Sequence, residues 1–460
     1  MSRVPTGVAA GHPATADAGA RVLEEGGSAA DAAVAMTLAS CVAETVMTGL
    51  AGGGFAAHYE AASGRVELLD FFVTVPGLGE SGEGELVDLP IRFGRQEVQY
   101  QVGSGSVAVP GTPAGCAALS ERHGRLPWPE LIRPALELAR SGVPLPRVHA
   151  TCLEMIAPAM TRGYGGRIYA PDDRLLAPGE RLYQPGLAQA LELLRDEGGA
   201  TWYRGSTAQT LLDLMSERGG LITRADLEAY EVRISAPLPH SFNGYALHAR
   251  EDMAHALTTF ARLSTRSASA PELALRFART LGGPDGHGDT TNLVAVDAAG
   301  DACVVTHTQG LGAGEWLPGL DVHLNSMLGE DELLGEEPQP GERMASMMVP
   351  TIVTDDQGLA LAGGAAGGSR IRSALIQSCH GVLLEGQDAT TAVERPRLHP
   401  VGELVHLEPG FSDEVVETLR AAGYETVLWD ETHHYFGGVS MVGRAGAAGD
   451  PRRAGAARLV

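Results

Sequence analysis

The residue types best suited to chemistry stand together at Asp289-Thr290-Thr291. A threonine hydroxyl is a weak nucleophile and needs a base. If the peptide bond before Thr290 is cut, the new α-amine can take the hydroxyl proton itself. That amine has an ordinary pKa of roughly 7.7–8.0, which suits neutral pH. The flanks favour such a cut: Gly286 and Gly288 make a flexible approach, and a strand begins directly after Thr290. A flexible donor side beside a fixed acceptor side lets the hydroxyl reach the carbonyl of Asp289. On residue types alone, Thr-Thr before a strand reads more simply as β-propensity.

The elements around the junction decide how it is held. NLVAVD, ACVVTHT and DVHLN read as short strands separated by a D-A-A-G-D turn and glycine-rich turns. VPTIVTD and GLALAGG continue the strands over 349–364, and GGAAGGSR leads into a helix at 369–385. In ACVVTHT, His307 alternates with Thr306 and Thr308, so it faces the opposite side of the strand. Upstream, helices are expected at 14–25, 29–44, 130–142, 185–197, 207–218 and 224–230. Ser28 and Asp31 form a capping box for the second of these. GLAGGGF at 49–55 allows a tight backbone before a strand at 55–60. The chain thus reads as helical first and strand-rich from about 290. Residues 264–289 are the most linker-like stretch, being polar, small and glycine-rich.

Several motifs, in order, resemble the γ-glutamyltranspeptidase family. D-T-T-N-L-V-A-V-D-A-A-G-D-A-C-V-V-T-H-T is similar to that family's processing site. GHPATADAGARVLEEGGSAADAAVA resembles its opening helices, GLAGGGF its glycine turn, and VAVPGTPAGCAALSERHGRLPWPELIRPALELARSGVPL its long VPG…LPW segment. GGLITRADLEAYEVR, VPTIV, GGAAGGSRI and GDPRR fit as well, so the resemblance spans nearly the whole chain. It implies an α+β fold, the four-layer αββα sandwich of N-terminal-nucleophile hydrolases. It also implies a large subunit 1–289 and a small subunit 290–460, associated as a heterodimer in one intertwined domain, with further dimerisation left open.

Carried over residue by residue, Thr290 matches the nucleophile and Asp289-Thr290 the self-cleavage bond. Thr308 matches the second threonine of the T-x-T strand, which helps position the nucleophile. Gly367 and Gly368 match the pair whose backbone N–H groups form the oxyanion hole, the donors that a tetrahedral intermediate requires. The substrate-reading positions depart from the family. Phe72 stands where an Arg grips the substrate α-carboxylate. Gly310 replaces an Asn, Glu330 replaces an Asp that binds the α-amine, and Ser346-Met347 replaces a pair of serines. A γ-glutamyl group is a zwitterion that needs a fixed cation and a fixed anion, and Phe72 supplies no cation. Arg343 and Arg370 are the nearest alternatives in sequence.

The expected function is therefore a self-processing threonine hydrolase or acyltransferase acting on a non-glutamyl small molecule in a natural-product pathway. C–C bond hydrolysis in alkylproline formation belongs to the same expectation. The alternatives are a genuine γ-glutamyl hydrolase or transpeptidase, and an inactive scaffold.

Composition narrows the classes further. A net charge of −23 over 460 residues repels phosphate backbones, so nucleic-acid binding is a poor fit. No apolar run is long enough to span a membrane and no leader-like apolar segment opens the chain, so a cytoplasmic protein is expected. Cys41, Cys116, Cys152, Cys303 and Cys379 are scattered without a CxxC pair, and Cys41 and Cys303 read as small core residues. His12, His58, His287, His307, His323 and the loop pair His433-His434 show no metal-ligand spacing, and GGAAGGSR lacks the Lys of a phosphate loop. No cofactor or metal is expected.

Overall fold

The computed structural model describes residues 3–93, 96–251, 263, 268–282, 290–330, 333–334 and 338–460. Thirteen of its strands build two facing antiparallel sheets. In chain order they are β1 (Gly7–Ala10), β2 (Gly53–Glu60), β3 (Arg65–Phe71), β4 (Arg233–Ser235), β5 (His240–Phe242), β6 (Tyr245–His248), β7 (Thr291–Val296), β8 (Ala302–Thr308), β9 (Thr351–Asp355), β10 (Gly358–Ala366), β11 (Gly438–Gly443), β12 (Gly446–Gly449) and β13 (Ala456–Leu459). The first sheet runs β13-β1-β7-β8-β2-β3-β4 and the second β12-β11-β10-β9-β6-β5. Strands from either side of residue 290 are present in both sheets.

Helices α1 (Pro13–Glu24) and α2 (Ala29–Ala43) cover the outer face of the first sheet. Every residue of α2 is buried, as its small apolar sequence predicts. Its capping box is formed: Ser28 Oγ accepts from Asp31 N at 3.0 Å and Asp31 Oδ2 accepts from Ser28 N at 2.9 Å. Helix α4 (Arg370–Leu383) packs on the second sheet. Between the sheets lies an apolar layer that includes Ala57, Val294, Val304, Ile352 and Ala362. This is the αββα sandwich.

Two expectations change. The linker-like stretch 264–289 contains helix α3 (Ala270–Leu281), whose Ser269 N donates to Glu272 Oε2 at 2.9 Å. Its Leu, Phe and Ala spacing outweighs the polar look of the flanks. The first half of the chain is also richer in strands than its helical pattern suggests: β1, β4, β5 and β6 are only three or four residues long, and β3 falls outside the strands expected from sequence.

Strand register sets the functional geometry. Thr291 pairs with His307, Thr308 with Gly53, and Gly54 with Phe71. Extending these registers by one residue puts Thr290, Thr308, Gly53 and Phe72 in a single row across β7, β8, β2 and the end of β3. At about 4.8 Å per strand, that row is roughly 14 Å long.

Candidate active site

Thr290 stands at the entrance to β7, 4% exposed, and lines a small cavity with Gly11, Glu44, His149, Ala366, Ser440 and Arg453 among its walls. The alternation along β7 and β8 sorts the polar side chains to two faces. Thr306 Oγ1 donates to Asn292 Oδ1 at 2.7 Å on the side facing the second sheet, where Ser440 Oγ donates to the Asn292 carbonyl at 3.0 Å. Thr290 and Thr308 share that side by register. On the other face, the His307 ring nitrogens meet Ser40 Oγ at 2.9 Å and Thr48 Oγ1 at 2.8 Å. The expected opposition of His307 and Thr308 is therefore seen. Asp289, Gly286, His287 and Gly288 lie outside the described residues.

Thr308 ends β8, and its Oγ1 accepts from Gly310 N at 3.0 Å. The glycine run before β2 admits this strand end. A Cβ on Gly52 would come within 2.1 Å of the Thr308 carbonyl oxygen, and one on Gly49 within 2.0 Å of Gln309 Oε1.

Gly367 and Gly368 follow β10 and precede α4, with φ of 123° and 58°. Both are left-handed values that favour glycine. The pair turns the chain so that free N–H groups stand at the start of a helix, a place suited to negative charge. Ala366, just before them, lines the Thr290 cavity. A Cβ on Gly367 would sit 3.1 Å from Arg453 Nη2, and Arg453 lines the same cavity. The oxyanion candidates and the nucleophile candidate therefore meet around one buried space.

The positions expected from sequence to read the substrate lie away from this cavity. Phe72 is fully buried and stacks on Phe55 at 5.4 Å between centroids. Arg250 lies over the other ring of that stack, and its Nη1 donates to the carbonyls of Ser346 at 3.3 Å and Met348 at 2.9 Å. One cation thus ties the Phe72 stack to the Ser346-Met347 segment. Arg343 stands beside this stack but is already paired, and Arg370 is held elsewhere. Arg343 pairs with Asp70 at 3.2 Å and donates to the carbonyls of Phe72 and Glu231, while Arg370 Nε donates to the Tyr435 carbonyl at 3.2 Å. Gly310 and Glu330 are brought together: a Cβ on Gly310 would lie 2.4 Å from Glu330 Oε1. The Glu330 carboxyl fills the space that a side chain at 310 would take.

Two open cavities, of about 500 and 310 Å³, share Phe55, Asp70 and Arg250. The smaller adds Arg233, Val75, Leu334 and Met344. Their walls mix apolar side chains and arginines with the acids Asp70, Glu251 and Glu342.

Sequence reading missed Glu44, Arg250 and Arg453. Glu44 carried a signal, an acid in an otherwise small apolar stretch. Arg250 carried none, because nothing in the sequence places it beside residues 72 and 346.

The sequence model described as gamma-glutamyltranspeptidase matches residues 15–265 and 251–460. The chain belongs to the γ-glutamyltranspeptidase family. Family membership makes it a hydrolase or transferase of the N-terminal-nucleophile type. It is 30% identical to the Acylase ACY 1 proenzyme of Pseudomonas sp. (strain SE83), over 91% of this chain and 87% of the relative. It is 26% identical to the glutathione hydrolase proenzyme of Bacillus subtilis (strain 168), over 96% and 90%. The crystal structure of cephalosporin acylase from Bacillus halodurans superposes with a TM-score of 0.84 at 20% identity, covering 99% of this chain and 96% of the other, and supports the fold. Among the described residues, no helix is long and apolar enough to cross a membrane.

Proposed function

We propose that this γ-glutamyltranspeptidase-family chain cuts itself between Asp289 and Thr290 and then transfers or hydrolyses acyl groups through an ester on Thr290. The observation that carries this reading is the shared cavity at the start of β7, where Thr290 meets Ala366 and Arg453 beside Gly367. In each turnover the α-amine takes the hydroxyl proton and the oxygen attacks the substrate carbonyl. The N–H groups of Gly367 and Gly368 bind the oxyanion, and Thr308 fixes the row in which Thr290 stands.

The substrate is a small molecule with a non-glutamyl acyl group, used in a natural-product pathway. Phe72 in place of the family's Arg and Gly310 in place of its Asn support this, as does the similarity to an enzyme named as an acylase. The same attack also reaches C–C bonds beside a carbonyl when a stabilised carbanion can leave, so hydrolysis during alkylproline formation falls within the proposed chemistry. A second reading is a γ-glutamyl substrate, favoured by the 26% identity to a glutathione hydrolase proenzyme over 96% of this chain.

The test is a denaturing gel of freshly made chain followed by an anilide panel. Wild type should give two bands that together account for 460 residues, and Thr290→Ala should give one uncut band with no turnover. A wild-type chain that stays whole through purification would sink the reading.

A further inference from the structure

Glu44 follows the last residue of α2, is 1% exposed, and lines the same cavity as Thr290. Thr291 Oγ1 donates to its Oε2 at 2.5 Å, and Thr15 Oγ1 donates to its Oε1 at 2.7 Å. Both partners are hydroxyls, which can turn to donate or accept. The carboxyl can therefore gain or lose a proton without losing its hydrogen bonds, an uncommon property for a buried acid. The backbone is shaped around it, since a Cβ on Gly11 would lie 2.4 Å from Oε2.

The charges that face Glu44 can be named by element. Arg453 comes from the Pro451–Arg453 turn, and His149 from helix Arg147–Met160. Burial holds His149 neutral, at about 3, and His12 at the start of α1 is likewise lowered to about 4. Asp450 also lines the cavity, but Arg397 and Arg452 pair with it at 2.5 and 3.2 Å. Cys41, on the same helix, is kept as a thiol by burial. That leaves Glu44 as the cavity's exchangeable proton site among the described residues. Burial raises its pKa to about 7, against the lowering effect of Thr291, Thr15 and Arg453.

We propose that Glu44 is the proton shuttle of the Thr290 centre, moving the hydroxyl proton to the Thr290 nitrogen as the Asp289–Thr290 amide becomes an ester. The inference rests on the reading of Thr290 as a self-cleaving nucleophile. Glu44 starts as a carboxylate and takes the proton of Thr290 Oγ1. The oxygen bonds to the Asp289 carbonyl carbon, the C–N bond breaks, and its electron pair stays on nitrogen. Glu44 returns the proton to that nitrogen and ends unchanged. Water then splits the ester, leaving an Asp289 carboxylate and a free Thr290 hydroxyl. Thr290 and Thr291 face opposite sides of β7, so the path runs through the shared cavity of about 10 Å³ at the strand's start, close to the space of one water. Glu44 thus acts through another group, as a positioning and proton-holding residue.

The experiment follows self-cleavage of precursor made by cell-free synthesis, on gels, from pH 5 to 9. Wild type should speed up as pH rises and level off above the Glu44 ionisation. Glu44→Gln keeps the shape and should cleave about 10²-fold or more slowly with that rise gone. Thr15→Val removes a hydrogen bond that favours the carboxylate, so its rise should survive and move to higher pH. A structural role alone would lower rates without moving the profile. If Glu44→Gln cleaves with the wild-type rate and profile, or the Thr15→Val rise stays at the wild-type pH, the shuttle is wrong while self-cleavage stands. If wild type never cleaves, both proposals fall, and Thr290→Ala matches it on the gel.

Discussion

The guanidinium carbon of Arg250 lies 3.6 Å from the centroid of the Phe55 ring. Phe55 in turn stacks on Phe72, the residue expected from sequence to stand where the family carries a carboxylate-gripping Arg. This cation rests on the aromatic pair. Cation–π contact and two carbonyl acceptors hold it there. Arg250→Met should therefore cost at least tenfold in kcat/KM, about 1.4 kcal/mol, on acyl anilides ending in a carboxylate, chiefly through KM. Neutral acyl anilides should change little, and Arg250→Lys should keep part of the loss at bay. Equal effects on charged and neutral substrates would show that Arg250 only braces the pocket. Within the panel, glutaryl against γ-glutamyl anilide separates a lone carboxylate from a zwitterion.

Phe72→Arg should not restore the family's pocket. The side chain is fully buried against Phe55, in one apolar cluster with Met327, Met344 and Met348. A guanidinium there would lie near Arg250 without water, at a penalty of several kcal/mol. The expected outcome is a clear drop in denaturant midpoint and no gain in γ-glutamyl anilide turnover. A stable variant with new turnover would show that the Phe55 stack opens easily.

Gly367→Ala tests the proposed oxyanion role of Gly367 and Gly368. At φ 123° an alanine is strained, and its Cβ would meet the Gly437 Cα at 2.9 Å. The turn must shift to accept it, and the N–H groups shift with it. Turnover should fall by about 10²–10³-fold, the scale of a lost oxyanion donor, with little change in KM. A loss seen only in KM would assign the turn to substrate binding instead.

What the sequence made legible follows from how locally each signal is encoded. The capping box of Ser28 and Asp31, the His307/Thr308 alternation and the strand ACVVTHT depend on neighbours a few residues apart, and all are formed. Thr290 and Gly367 could be named because motif order carried them, not their own flanks. The position of Arg250 beside Phe55 depends on how β2 and the end of β6 meet in space, which no local pattern states. Glu44 was hidden for a related reason. Its residue type was visible, but only the pairing of β7 with β8 and its packing on α2 put Thr291 against it. Helix α3 was lost among polar flanks whose composition looks like a linker.

Strand interleaving predicts that a cut at 289–290 does not free the pieces. β1 pairs with both β7 and β13, and β2 pairs with β8. The C-terminal part is also locked internally by Arg397, Arg452, Asp450 and Glu408, all nearly fully buried. Asp450→Ala leaves Arg397 without its 2.5 Å partner and should cost about 3–5 kcal/mol. Urea unfolding would measure it, and size exclusion should show both wild-type pieces in one peak. A cost below 1 kcal/mol would mean that the remaining carbonyl contacts of Arg397 suffice.

Buried histidines set the response to acid. Burial lowers His58, His149, His307 and His323 to about 3 and His12 to about 4. Unfolded, each would titrate near 6.5. The unfolded chain therefore binds more protons below that value, so their contribution to stability is complete above about pH 6.5 and is lost as pH falls. Glu44 has the opposite sign. Its folded value of about 7 exceeds the unfolded value of about 4.3, so its contribution is largest in acid and fades as pH rises towards 7. Five histidines against one glutamate leave a net loss, each histidine weighing up to about 1.4 kcal/mol per pH unit. Melting temperature should stay level from pH 8 to 7 and then fall ever more steeply between pH 6.5 and 4.5. A flat profile across that window would mean that these histidines take up protons in the folded protein, and that the polar pairs around them, such as His307 with Ser40 and Thr48, rearrange to admit the charge.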